Sequence, residues 1–133
     1  MVDFLNYTQV PTTKKEDINT DRTKWLGDKI VSFDEGKYIT LYIGHFAETT
    51  TDDQGAEVRT TYAFPIRIAK PLTRDAAINA AEMQAYQLTT PMEVASFAAS
   101  MARKFRLNPD DEEVKQHDEF IEWVKSELTN IRV

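Results

Sequence analysis

Val58-Arg59-Thr60-Thr61-Tyr62-Ala63-Phe64-Pro65-Ile66-Arg67-Ile68-Ala69-Lys70-Pro71-Leu72-Thr73-Arg74-Asp75-Ala76-Ala77-Ile78 contains a change of hydrophobic period. Up to Ala69 the large apolar side chains occupy every second position, the repeat of a strand with one buried face. Beyond Pro71 they recur every third or fourth position, the repeat of an amphipathic helix. Pro71 separates the two regimes, because proline donates no hydrogen bond and restrains the residue before it. The fold class that follows is α+β: a small antiparallel sheet, then three helices packed on it.

Upstream, two more strands precede this one. Lys29–Phe33 and Lys37–Gly44 flank Asp34-Glu35-Gly36, where Gly36 supplies the positive φ of a tight hairpin. In the second strand Ile39, Leu41 and Ile43 point to one face, and Tyr38, Thr40 and Tyr42 to the other. The aliphatic face is the expected core. Thr49 to Gly55 is polar and ends in glycine, so it reads as a loop. Pro65 gives no ladder donor, which predicts that Val58–Ala69 is an edge strand or carries a bulge. The simplest arrangement is a three-stranded meander.

Downstream, three helix starts are legible. Thr73 is an N-cap for a first helix running to about Leu88, with Ile78, Ala81, Ala85 and Leu88 on one stripe. Thr90-Pro91-Met92-Glu93 combines a capping box with proline at the first helical position. It predicts a second helix burying Val94, Phe97, Ala98, Met101 and Phe105. Asn108-Pro109-Asp110-Asp111 opens a third, in which Val114, His117, Ile121, Val124, Leu128 and Ile131 keep the helical spacing, widened by Phe120 and Trp123. Residues 29–133 therefore form one α+β domain, sheet over 29–70 and helices over 73–131. Residues 1–28 precede it as a strap that docks a few apolar side chains, or as an arm exchanged with a neighbouring subunit.

Composition narrows the function classes. With 133 residues, 41% of them hydrophobic, the chain is long enough for a real core. A net charge of -6 repels phosphate backbones and anionic lipid surfaces, so neither nucleic acid nor membrane is an expected partner. The sequence has no cysteine, which removes disulfides, thiolate metal sites and thiol nucleophiles. No signal peptide or membrane-length apolar run is visible, which predicts a cytoplasmic or virion-associated protein.

Chemistry-bearing constellations are sparse. His45 and His117 are the only histidines, and neither has a nucleophile or second ligand at motif spacing. Glu113 and His117 share a helix face, but His117 lies on the core stripe, so no metal site is assigned. Glycine-rich phosphate loops are absent. No catalytic residue and no cofactor is assigned.

Arg74-Asp75-Ala76-Ala77-Ile78-Asn79-Ala80-Ala81-Glu82-Met83, Val94-Ala95-Ser96-Phe97-Ala98-Ala99-Ser100 and Glu113-Val114-Lys115-Gln116-His117-Asp118 resemble small proteins encoded by prophages and related mobile elements. The resemblance covers the helical half. It implies a virion-associated or assembly role and transfers no site residue. The expected function is thus a non-catalytic structural or assembly protein working through a protein partner or self-association. The expected contact residues are Phe4, Leu5, Tyr7, Trp25, Arg59, Tyr62 and Arg67. The alternative is a regulatory binding module with a groove between sheet and helices.

Overall fold

The structure, a computed structural model, describes residues 5–10, 22–27 and 29–133. Its elements are β1 (Thr8–Gln9), β2 (Thr23–Leu26), β3 (Lys29–Asp34), β4 (Tyr38–Thr51), β5 (Glu57–Ala69), α1 (Arg74–Ala85), α2 (Pro91–Leu107) and α3 (Glu112–Asn130). The strands form one antiparallel sheet in the order β1-β5-β4-β3-β2. The meander expected from the sequence is its centre, and two short strands from residues 1–28 extend it to five. Both are too short to display a period of two, which is why their pattern does not reveal them. Leu5 and Val10, flanking β1, are buried, so the described part of the N-terminal segment is docked on the body. Phe4 and the charged run Lys14 to Asp17 lie outside the described residues.

One side of the sheet carries the main core. Leu41 and Ile43 of β4 and Phe64, Ile66 and Ile68 of β5 pack with Ala77 and Ala81 of α1 and Phe120, Val124 and Leu128 of α3. Alanines on α1 let that helix lie close to β5. The opposite side holds a smaller cluster of Val10, Ile30 and Ala63, with Trp25 and Tyr42 packed against it.

The helix caps follow local chemistry. Thr73 Oγ1 accepts from Ala76 N, and Thr90 Oγ1 accepts from Glu93 N at 3.2 Å. Glu93 returns the bond to Thr89 N rather than to Thr90 N, a shifted capping box. The first helix stops at Ala85, short of Leu88. Gln87 adopts φ +58°, and Leu88 N donates to Met83 O, which is a Schellman closure with glutamine in the usual glycine position. The third helix starts at Glu112 rather than at Asn108. Asn108 and Asp110 form a turn, and Asp111 is the cap, its Oδ1 accepting from Glu113 N and Val114 N.

The second helix departs most from expectation. None of its residues is buried. Val94, Phe97 and Met101 are half-covered, while Ala98 is exposed and Phe105 is 53% exposed. The helix lies outside α3 instead of on the sheet, so only one narrow side of it meets the protein. Met92 and Leu107, 79% and 76% exposed, mark its two ends. Among the described residues no helix is long and apolar enough to cross a membrane.

Candidate functional site

The most distinctive surface is the outer half of the β4–β5 hairpin. Thr49 to Gly55 does not form one loop, as the sequence suggested. β4 runs on to Thr51, and pairing with β5 continues through Thr49↔Arg59, Thr50↔Val58 and Thr51↔Glu57. Threonine is a good strand former even where the sequence is polar, and cross-strand pairing fixes it here. The turn is Asp52-Asp53-Gln54-Gly55. Asp52 Oδ1 accepts from Gln54 N and from Ala56 N, both at 2.9 Å, and Gly55 takes φ +80°. Ala47 to Thr51 and Glu57 to Arg59 are exposed. At about 3.3 Å per residue, this two-stranded arm projects ~15 Å beyond the covered sheet.

A bulge sets where the arm leaves the body. Register shifts between Ile43 and Phe46, so that Gly44 and His45 together oppose Ala63. Odd-numbered residues of β4 face the helices before the bulge, and even-numbered ones after it. Phe46 therefore stays on the helix side, stacked on Tyr62 at 5.3 Å and edge-on to Tyr7 at 5.2 Å. Gly44 has φ +66°, and its N–H donates to Glu127 Oε2 of α3 at 3.2 Å. Trp123 of the same helix covers the place where a side chain would sit.

His45 closes the sheet on the other side. Its Nε2–H donates to the Ile30 carbonyl at 2.7 Å, beyond the last β3–β4 pair at Ser32↔Leu41. Burial holds its pKa below the ordinary value. The Ile30 carbonyl and Glu127 oppose that shift, and the Lys29 charge reinforces it. Next to it, Lys29, Phe46, Ala47, Arg59 and Thr61 complete a pocket of about 320 Å³ at the root of the arm. Neither Lys29 nor Arg59 has an ion-pair partner among the described residues.

The seven expected contact residues do not share one surface. Leu5 is in the main core, and Tyr7 and Tyr62 flank Phe46. Trp25 packs on the small cluster behind the sheet. Arg67 is exposed, paired with Glu35 Oε2 at 3.0 Å and lying 4.1 Å over the Tyr38 ring. Arg59 alone lines the root pocket, and Phe4 is outside the described residues. β5, expected at an edge, is second in the sheet. Yet β1 pairs with it only at Tyr62 and Ala63, so among the described residues most of its outer side has no strand neighbour. Pro65 sits in this uncovered stretch, where its missing N–H leaves no ladder bond unmade, and Gln84 Nε2 donates to its carbonyl.

His117 does not face Glu113. It pairs with Glu82 Oε2 of α1 at 2.7 Å, while Glu113 bonds Lys104 of α2. Phe97 and Tyr86 pack on the imidazole, with centroids 5.3 and 5.7 Å away, so this cluster ties the outer helix to the other two. Burial and the neighbouring Glu82 charge push the Tyr86 phenol up to about 12. Among the described residues no three metal-ligating side chains converge.

Two adjoining cavities, of about 250 and 470 Å³, lie between the β2–β3 side of the sheet and the end of α3. They share Lys24, Val31, Ile131 and Arg132. Compared with models of protein families, with curated proteins and with solved structures, the chain matches none.

Proposed function

We propose that this chain is a non-catalytic assembly protein that works by contact between copies of itself, with the β4–β5 arm as the contact element. The observation that carries this reading is the arm's exposure on both faces. An isolated two-stranded ribbon is marginal in water, and a third strand or a packing surface is what stabilises it. A ribbon of Thr49–Thr51 and Glu57–Arg59 gains such a surface when it lies on a neighbouring subunit. The side of β5 that no described strand covers offers a second contact, since an open strand edge accepts another strand. The setting we propose, a virion or tail assembly, is the one that a resemblance of the helical half to small prophage-encoded proteins implies.

Absolute mass by light scattering over a concentration series tests the reading. A control variant replaces residues 50–58 with Asn-Gly, a two-residue turn that joins Thr49 to Arg59 in register. The intact chain is expected to form a defined multimer and the shortened chain a monomer of unchanged helix content. Equal masses for the two would refute the arm's role.

A second reading, a binding module, is favoured by the paired cavities beside Ile131. Their apolar floor of Val31, Ile39, Leu41 and Leu72 and their rim of Lys24, Arg74 and Arg132 suit a small amphipathic anion. A rise in melting temperature with such a ligand would distinguish it from assembly.

A further inference from the structure

We propose that the acidic tip of the arm on one copy seats in the basic root pocket of a second copy, joining the chains head to tail. The proposal rests on the assembly reading above and adds to it the docking site and its occupant.

The two surfaces are complementary and lie on the same element. At the tip, Asp53 is exposed and makes no hydrogen bond or ion pair among the described residues. Glu57 flanks it and is equally unpaired, while Asp52 already uses one oxygen to hold the turn. At the root, Lys29 and Arg59 stand at a concave pocket walled by His45, Phe46, Ala47 and Thr61. Among the described residues no acidic side chain lines it. Cations gathered at a concavity with no ion-pair partner among the described residues attract an anion from outside.

The ladder is uninterrupted from root to tip, so a tip cannot bend back by ~15 Å to its own root. An anion of complementary charge that every copy carries is the same turn on a second copy. A pocket of about 320 Å³ accepts a turn with its carboxylate side chains but not a whole folded element. His45 serves as a wall. Its ring N–H is already committed to the Ile30 carbonyl, so the cations facing the incoming carboxylate are Lys29 and Arg59. A tip-to-root contact uses different patches on the two partners, and such heterologous contacts build rings or open filaments. The copies repel one another overall, which leaves this local attraction to set the register.

Charge exchange tests the proposal, because both ends are exposed and their substitution spares the core. Arg59→Glu and Asp53→Arg are each expected to weaken self-association by at least about tenfold, from like-charge juxtaposition at the contact. An equimolar mixture of the two variants is expected to regain the wild-type mass, since every tip then meets a root of opposite charge. The wild-type assembly should also loosen as salt rises. Circular dichroism of each variant confirms that it is folded. If both single variants assemble as the wild type does, the tip-to-root contact is wrong, even where shortening the arm still abolishes assembly. If the mixture fails to recover, the proposal is equally overturned. A wild-type chain that stays monomeric at every concentration overturns the assembly reading and this contact together.

Discussion

Gly44→Ala is expected to destabilise the protein by about 2–5 kcal/mol, the sum of two independent costs. The first is conformational. Gly44 sits at φ +66°, where a residue with a Cβ pays roughly 1–2 kcal/mol. The second is steric. A Cβ there would lie 2.5 Å from Trp123 Cζ2 and 3.0 Å from Cη2, with Tyr7 Cε1 at 3.3 Å. An indole wedged between Phe64 and Phe120 has little room to yield, and overpacking of this kind costs about 1–3 kcal/mol. Displacing α3 would relieve the clash but would also break the Glu127 bond to Gly44 N. In a domain whose whole stability is about 5–15 kcal/mol, this should lower the melting temperature by about 10 °C or more. The two costs can be separated. Adding Trp123→Leu to Gly44→Ala removes the clash and leaves the dihedral penalty, so the double variant should lose less than the two single losses added together. Strict additivity would refute the close approach of Trp123.

Phe120→Ala is expected to cost about 3–5 kcal/mol in denaturant unfolding, by transfer and by the cavity left behind. Phe120 is 0% exposed, beneath α1 and against the sheet. Its ring meets Tyr86 edge-on at 5.7 Å and Trp123 at 6.2 Å, so its loss also loosens the stack that reaches Phe97 of α2. Phe105→Ala provides the contrast. That residue lies on a helix with no buried position, and its removal should change stability by less than about 0.5 kcal/mol. Similar losses for the two substitutions would contradict the placement of α2 on the outside.

The second helix shows what the sequence could and could not reveal. Its period and caps identify a helix correctly, and Thr90 and Glu93 perform the capping that their spacing suggests. The period names the side that is less wet but not how deeply it is covered. Depth depends on what packs opposite, and here that is only the flank of α3. The sheet is legible in the same partial way. Val58–Ala69 declares itself because its large residues alternate without interruption. β4 declares itself only as far as Gly44, because the bulge there inverts its alternation and the threonines beyond it carry no apolar face. A strand lacking a buried face has no hydrophobic signal to read, and that is the same property that makes the arm a candidate for contact. β1 and β2 are hidden for a simpler reason: two and four residues are too few for a period.

The candidate site was less accessible still. Arg59 stood out in the sequence, but Lys29 and His45 could be joined to it only through strand register. Lys29 begins β3, His45 belongs to the bulge in β4, and Arg59 lies on β5. Pairing across three strands brings them to one pocket. The paired anion, Asp53, looked like part of a solvated loop. Its significance comes from the ladder beneath it, which holds the turn away from the body and out of reach of its own root.

Hydrogen exchange of the arm's backbone amides, followed at low and high protein concentration, tests most directly whether this ribbon is the surface through which copies meet. Amides from Thr49 to Val58 are expected to exchange quickly in dilute protein and to become strongly protected as concentration rises, while those of the central strands stay unchanged. Exchange of the arm that is equally fast at every concentration would contradict it.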